Sequence, residues 1–179
     1  MKALFPVLLT LALVACEKRY DVDYLSLTDS AESMVVEAPE GGFAIPFLGQ
    51  SEQSRLVVAL RFERLHPDSS WAPWVTAGFA TVDRKDQVKA FVALPEPGAE
   101  KLNAGYQVVK DGEVKEQVVL VAGLPVSEKV QVQALRGSDG MVYIKVADRE
   151  ARVRLPHQDV DLPFALVSSA TASLRWLAD

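Results

Sequence analysis

The chain has 179 residues and carries 19 lysines and arginines against 24 aspartates and glutamates, a formal net charge of −5. Hydrophobic residues make up 49% of it, which is typical of one soluble globular domain and too apolar for a disordered chain. There is no basic surplus of the kind that nucleic-acid-binding proteins carry, so we expect no nucleic-acid partner. The single cysteine excludes an internal disulfide framework and a cysteine-based zinc site.

The chain begins with a short apolar segment. Lys2 is followed by an uncharged, mostly hydrophobic run over residues 3–15, and charge returns directly after Cys16. A helix of this length measures about 20 Å, whereas the hydrocarbon core of a bilayer is about 30 Å thick. The run therefore predicts a cleaved signal peptide over residues 1–15 rather than a membrane-spanning helix.

The apolar run ends in Leu13-Val14-Ala15-Cys16, which resembles the lipobox of bacterial lipoproteins. The resemblance implies cleavage before Cys16 and attachment of acyl chains, such as palmitate, to its sulfur and to the new amino terminus. Several acyl chains anchor a protein stably, because each buried methylene contributes about 0.8 kcal/mol. The alternatives are an ordinary secretory signal that happens to contain a cysteine, or a plain N-terminal anchor.

The residue after the cysteine predicts the membrane. In the lipoproteins that this sequence resembles, an aspartate at that position tends to retain the protein in the inner membrane, and here the residue is Glu17. We therefore expect a protein of the bacterial envelope, attached to the outer membrane through lipid on Cys16. The sequence leaves open whether it faces the periplasm or the cell surface.

The remaining chain divides into a tether and a domain. Residues 16–33 contain the lipidated cysteine and a mixed polar segment, and residues 34–179 form the domain. Within the domain the hydrophobic period is two, as in strands with one buried face. The alternation is clearest in four segments, residues 57–62, 130–134, 141–146 and 150–155.

Turn signals separate these segments. Asp111-Gly112 and Asp139-Gly140 each lie between two alternating runs and predict tight hairpins, because glycine accepts a positive φ. Residues 147–150 predict a third turn, and the two prolines of residues 94–98 predict a loop. We count ten to twelve strands and no convincing amphipathic helix, apart from one helical turn over residues 99–102. This density of strands predicts a β-sandwich or a barrel.

Residues 127–177 make the fold class more specific. A strand, an Asp-Gly hairpin, a short return strand and the segment 163–176 resemble the closing strands of concanavalin A-like lectin and glucanase jelly rolls, including laminin-G-type domains. The resemblance implies an all-β, antiparallel β-sandwich, with Trp176 as a final core aromatic. It implies no particular activity, since a fold of this kind carries many functions.

The sequence contains no pattern that predicts catalysis. Glycan-cleaving relatives in this fold class carry an E-x-D-x-x-E strand, whereas Glu113 and Glu116 have the wrong spacing and Asp159 and Asp161 lie in a predicted loop. There is no G-x-S-x-G motif, and we assign the pair Ser168-Ser169 to a terminal strand. We therefore expect no enzyme activity and no cofactor.

Two histidines are the remaining candidates for metal binding. His66 and His157 each lie in a polar segment beside a proline and near an aspartate, which could supply a ligand and a carboxylate. Histidines in such loops are ordinarily solvated. We therefore expect no metal site at either residue.

The aromatic residues give the strongest hint of a ligand. Trp71 and Trp74 lie in the polar segment 66–74, which Pro67 and Pro73 stiffen, and we assign this segment to a loop. Residues three apart in an extended chain point to opposite faces, so we expect one tryptophan at the rim and the other in the core. An exposed tryptophan serves as a stacking platform for a sugar or as an interface anchor. The alternative is that both tryptophans cap the end of the sandwich.

We therefore expect a non-catalytic, membrane-anchored lipoprotein that binds glycan or cell-wall material through Trp71 or Trp74. The alternative is a structural or accessory lipoprotein that binds another envelope protein, and an enzyme acting on glycan is a weaker third hypothesis. An exposed tryptophan beside Asn, Gln or Asp on a sheet would favour glycan. A flat apolar patch would favour a protein partner, and two facing carboxylates would favour an enzyme.

Overall fold

The period-two segments form strands throughout the described part of the chain. The computed structural model describes residues 33–48, 54–66 and 72–176. These residues form twelve strands and contain no helix, and therefore no helical segment that could cross a membrane. The strands are β1 (Ser33–Glu37), β2 (Phe43–Leu48), β3 (Arg55–Leu65), β4 (Trp74–Ala80), β5 (Gln87–Ala93), β6 (Lys101–Lys110), β7 (Glu113–Pro125), β8 (Val130–Arg136), β9 (Met141–Val146), β10 (Arg149–Arg154), β11 (Leu162–Ser168) and β12 (Ala170–Trp176).

The strands pair into two sheets of six. The first sheet has the order β1-β12-β3-β8-β9-β10, and the second has the order β2-β11-β4-β5-β6-β7. Every pair of neighbouring strands is antiparallel. The predicted all-β, antiparallel β-sandwich is therefore confirmed, as is the predicted number of strands.

The core lies between the two sheets. Alternate residues of each strand point inward, so that β4 contributes Val75, Ala77 and Phe79, and β3 contributes Val58 and Leu60. All five are almost completely buried. Because both sheets bury one face against the other, the opposite face of each sheet is left for other roles.

The predicted hairpins are present. Asp111 and Gly112 both have a positive φ, 56° and 80°, which is the geometry of a tight turn whose twist matches that of the strands it joins. Gly140 has φ 74° between β8 and β9. The predicted helical turn over residues 99–102 is wrong, because β6 already begins at Lys101 and Leu102 is buried in the core.

The chain crosses between the sheets at Ser169. Segment 163–176 forms two strands, β11 in the second sheet and β12 in the first, so the assignment of Ser169 to one terminal strand is wrong. Ser169 has φ 49° and is fully buried, and its hydroxyl accepts a hydrogen bond from the N–H of Gly41 at 3.1 Å. The N–H of Ser169 donates to the carbonyl of Gly42 at 3.1 Å, so the start of β2 supports the crossing.

Several sequence predictions lie outside the described residues. The structure does not describe residues 1–32, which include the predicted signal peptide, Cys16 and Glu17, and it describes neither Trp71 nor the side chain of Trp176. The lipid anchor, the role of Trp71 and the burial of the Trp176 ring therefore stay predictions.

Candidate functional site

The outer face of the first sheet is polar and internally paired. Tyr143 lies on it, with its hydroxyl donating to Asp139 at 2.9 Å and the guanidinium of Arg152 lying 5.5 Å from its ring. This arrangement of exposed, mutually satisfied charges is typical of a solvated sheet face. The ion pairs on this face include Arg61–Glu63 at 2.8 Å, Arg152–Asp139 at 2.7 Å and Lys145–Glu150 at 3.1 Å.

The outer face of the second sheet is different. This face is the surface of β4–β7 and β11 that points away from the first sheet. The strand registers fix which residues share it, because residues that pair across antiparallel strands point to the same side. Its polar and large side chains are Trp74, Thr76, Lys89, Phe91, Asn103, Gln107, Gln117 and Phe164.

Trp74 lies at one end of this face. It is the first residue of β4, so its assignment to a loop is wrong. Val75 points into the core and Trp74 therefore points outward, where its indole is half-buried. The carbonyl of the preceding Pro73 accepts the N–H of Leu94 at 3.0 Å, which fixes the start of the strand against β5.

Lys89 is the one charged side chain that the described strands place in the middle of this outer face. It lies on β5, directly opposite Gly78 of β4 and Gln107 of β6, and is only 8% exposed. Its ammonium donates to Oε1 of Gln87 at 3.0 Å and lies 5.0 Å from the centre of the Trp74 ring. Within the described part of the chain, no carboxylate pairs with this ammonium.

The neighbour of the ammonium is itself held in place. Nε2 of Gln87 donates to the carbonyl of Arg84 at 2.6 Å, so Oε1 of the same amide is turned toward Lys89. Burial lowers the pKa of Lys89 to about 8, because the low-dielectric surroundings disfavour the charged form. At pH 7 the side chain is still mostly protonated, so the face carries a desolvated positive charge.

Two neutral polar groups beside Lys89 have unused hydrogen-bonding capacity. The hydroxyl of Thr76 and Oε1 of Gln107 are buried and find no hydrogen-bond partner within the described residues. The amide nitrogen of Gln107 does have one, since it donates to Oε1 of Gln117 at 2.6 Å. Buried polar atoms nearly always have a partner in folded proteins, so each of these orphans calls for an explanation.

Two glycines leave the backbone in the middle of this face without covering side chains. Gly78 and Gly105 occupy outward positions beside Lys89 and Phe91. A Cβ atom on Gly78 would lie 2.2 Å from the carbonyl oxygen of Val88, and one on Gly105 would lie 1.9 Å from that of Val118. Neither position therefore accepts a side chain, and the polar groups are not covered from these positions.

Exposure falls across the face from β7 toward β11. Gln117 and Val119 on β7 are exposed, Asn103 on β6 is half-buried, and Lys89 and Phe164 are buried. The open side of the face is therefore the β7 side. A ligand that reaches the ammonium of Lys89 from there crosses the Gln107–Gln117 amide pair.

Sequence reasoning found Trp74 but missed the groups around it. Lys89 interrupts the otherwise apolar run of residues 88–94, and a charge inside such a run is the signal that could have found it. Thr76 and Gln107 give no comparable signal, because threonine and glutamine are common on either face of a strand. Only the register of β4, β5 and β6 brings the three together.

The histidines lie apart from this face and from each other. His157 Nε2 lies 3.2 Å from the carboxylate of Asp86, a contact within ion-pair distance. His66 follows β3 and is half-buried, and its Nε2 is buried without a hydrogen-bond partner among the described residues, so the predicted solvation does not extend to this nitrogen. The described residues contain no group of three or more His, Cys, Asp or Glu side chains placed to hold a metal ion.

The carboxylates singled out from the sequence are engaged elsewhere. Glu113 pairs with Lys115, and Glu116 accepts the hydroxyl of Tyr106 at 2.6 Å. Asp161 lies 3.7 Å from Arg136 on the other sheet. The described strands bring no two of these carboxylates together on the outer face of the second sheet.

Comparison with known proteins identifies the fold only. No protein-family model matches the chain, and no curated protein matches its sequence. A carbohydrate-binding module from Bacillus subtilis is similar in structure, with a TM-score of 0.50, 11% identity, and an alignment that covers 81% of this chain and 88% of the module. An alginate lyase from Pseudomonas aeruginosa gives a TM-score of 0.52 and 16% identity over 70% of this chain and 63% of the lyase. This chain therefore spans less than two thirds of the lyase, and it shares the jelly-roll sandwich with both.

Proposed function

We propose that the domain is a non-catalytic glycan-binding module and that its ligand lies on the outer face of β4–β7 and β11, which we call the glycan face. The observation that carries the proposal is the half-buried indole of Trp74 on the same surface as the unpartnered polar atoms of Thr76 and Gln107. An indole ring offers a flat apolar surface to the C–H groups of a sugar. Buried hydroxyl and amide groups without protein partners can bind the hydroxyl groups of that sugar.

The face fits a binding module better than an enzyme. Glycan hydrolysis needs two carboxyl groups across the scissile bond, and the described part of the glycan face places none beside Lys89 or Gln107. One of the similar structures is named as a carbohydrate-binding module, which agrees with the proposal. The likeness to an alginate lyase is a likeness of fold, and we propose no catalytic step from it.

A protein partner is the alternative, and the described surface gives it less support. Large exposed apolar side chains are spread over β1, the β4–β5 loop, β7, and two paired positions on β8 and β9. They do not gather at one place on the described surface. Obligate protein interfaces need a contiguous apolar area of several hundred Å².

We further propose that the domain is attached to the bacterial outer membrane through acyl chains on Cys16, facing either the periplasm or the cell surface. The support is the sequence pattern Leu13-Val14-Ala15-Cys16 and the glutamate that follows it. An anchored module of this kind would hold envelope or cell-wall glycan at the membrane surface.

Replacing Cys16 by serine should give an unlipidated precursor that keeps residues 1–15, as read by mass spectrometry. A mutant that is processed and acylated like the wild type would contradict the anchor.

Removal of the Trp74 indole ring tests the binding proposal. Trp74→Ala should weaken glycan binding about tenfold or more, because it removes the aromatic contact with the sugar, and a loss of about 1.4 kcal/mol corresponds to one factor of ten. Tyr143→Ala is the matched control, because Tyr143 is an exposed aromatic residue on the outer face of the first sheet. A glycan array followed by calorimetry measures both variants. Equal affinity of Trp74→Ala and the wild type would contradict the proposal, as would an array on which no glycan binds.

A further inference from the structure

We propose that the saccharide bound on the glycan face is acidic, and that its anionic group pairs with the ammonium of Lys89. This inference rests on the proposed glycan binding and specifies the chemical class of the ligand. The inference is based on Lys89, which is only 8% exposed in the middle of a sheet face and has no carboxylate partner among the described residues. Taking an isolated charge out of water is costly unless an opposite charge or several hydrogen bonds replace the water.

The surroundings of Lys89 supply no negative charge. The residues that flank it on the glycan face are Thr76 and Ala80 of β4, Gln107 of β6, and Gln87 and Phe91 of its own strand. Beyond Gly78 the next outward side chain is Phe164 of β11, and beyond Gln107 it is Gln117 of β7. None of these groups carries a charge, so the only described contacts of the ammonium are a neutral amide and a ring.

These two contacts leave part of the ammonium available. It has three N–H donors, of which Gln87 accepts one, while the π-surface of Trp74 attracts the charge without taking a directed hydrogen bond. An anionic group brought by a ligand would accept a charge-assisted hydrogen bond from the ammonium, which is stronger than a neutral one. It would also replace the water that burial removes.

The neighbouring orphan groups match an acidic sugar rather than a bare anion. The hydroxyl of Thr76 can donate to the same anionic group, whereas Oε1 of Gln107 can only accept and needs a donor such as a sugar hydroxyl. Trp74 adds a surface for the face of a sugar ring. A cation, a donor, an acceptor and an aromatic plane on one face together fit a uronic-acid residue, or a sugar that carries sulfate.

The test uses two ligands that differ only in charge. Oligogalacturonate and its methyl ester have the same sugars and linkages, but the ester lacks the carboxylate. We expect calorimetry at pH 7 to show at least tenfold tighter binding of the acid by the wild-type protein. Alginate oligosaccharides and sulfated carrageenan oligosaccharides form two further arms, which distinguish a carboxylate from a sulfate as the preferred group.

A variant assigns the charge preference to one residue. Lys89→Met keeps roughly the length of the side chain but removes the charge. The variant should bind the acid and the ester equally, because its affinity for the acid falls to that for the ester. Lys110→Met is the control, because Lys110 is an exposed lysine at the end of β6 and its removal lowers the net charge by the same amount. The acid preference should survive in this control.

The pH dependence of the affinity tests the role of the Lys89 charge in the wild-type protein. Because burial lowers the pKa of Lys89 to about 8, the free protein loses the charge above that pH. Affinity for the acid should therefore be about tenfold weaker at pH 9 than at pH 7, whereas affinity for the ester should not change.

The outcomes separate this inference from the proposed function. Equal binding of acid and ester by the wild type, or equal loss in Lys89→Met and Lys110→Met, overturns the inference and leaves glycan binding standing. Tighter binding of neutral glycans on the array has the same meaning. No binding of any charged or neutral saccharide overturns both.

Discussion

At the scale of single residues, Lys89 is where stability and the proposed function oppose each other. Its pKa in the folded state is about 8, against an ordinary value of 10.5. The unfolded chain therefore binds more protons than the folded chain between these two pH values, and stability rises with pH across that window. Below pH 8 the full cost of the buried charge is present. It amounts to about 3 kcal/mol, since one pKa unit is 1.36 kcal/mol.

This cost predicts a stabilising substitution. Lys89→Met should raise the free energy of unfolding at pH 7 by about 2–3 kcal/mol, because it removes the charge and keeps the apolar stem of the side chain packed. The gain should shrink as the pH rises from 8 to 10.5, because the folded wild-type lysine is then neutral and the unfolded one progressively loses its proton. Urea denaturation at pH 7, 8.5 and 10 measures it, with Lys110→Met as the unchanged control. A less stable Lys89→Met protein at pH 7 would show that the charge is satisfied in the folded state.

The sequence predicts Trp74 as a site residue but not the residues around it, for a physical reason. Trp74 could be singled out because two tryptophans in a polar segment stand out by composition alone. Lys89, Thr76 and Gln107 become a set only through cross-strand pairing over residues 76–107, which involves three strands. His66 was predicted to be solvated, but at the end of β3 it is half-buried and its Nε2 is enclosed.

At the scale of elements, Asp86 ties together the loops at one end of the second sheet. Its Oδ1 accepts the N–H of Asp111 in the β6–β7 hairpin at 2.7 Å, and Oδ2 lies 3.2 Å from Nε2 of His157 in the β10–β11 loop. Its own N–H donates to the hydroxyl of Thr81 at 3.2 Å. The side chain is almost fully buried, so a lost partner cannot readily be replaced by water.

Removal of this carboxylate should therefore loosen two loops at once. Asp86→Ala should lower the free energy of unfolding by about 1–3 kcal/mol, because the Asp111 N–H loses its acceptor. Asp86→Asn should recover part of the loss, since its amide oxygen can still accept that bond. Asp148→Ala removes an exposed carboxylate in the β9–β10 turn and should cost at most about 0.5 kcal/mol. Chemical denaturation of the three variants measures these differences, and equal losses in Asp86→Ala and Asp148→Ala would refute the role of Asp86.

Elements were the most predictable part of the fold. Strands and two-residue hairpins are determined by neighbouring residues, so Asp111-Gly112 could be recognised from the alternating runs on either side of it. The crossing at Ser169 could not, because its positive φ is supported by backbone groups of Gly41 and Gly42, more than a hundred positions away in the chain. Segment 163–176 reads as one continuous β run until those distant contacts are known.

At the scale of the whole molecule, the two sheets share one core but have different outer faces. The first sheet presents exposed charges in matched pairs, such as Arg61 with Glu63. The second presents a buried cation, an indole and orphan polar atoms. The sandwich itself could be predicted from the hydrophobic period. The difference between its faces could not, because it depends on which strands become neighbours.

Amide chemical-shift mapping tests the difference between the two outer faces most directly. The ¹⁵N-labelled protein is titrated with oligogalacturonate, and every backbone amide reports whether its surroundings change. We predict shifts concentrated in β4, β5, β6 and β7 around Trp74, Lys89 and Gln107, with β3, β8, β9 and β10 unchanged. Shifts confined to the outer face of the first sheet, or no shifts at millimolar saccharide, would contradict a glycan face on the second sheet.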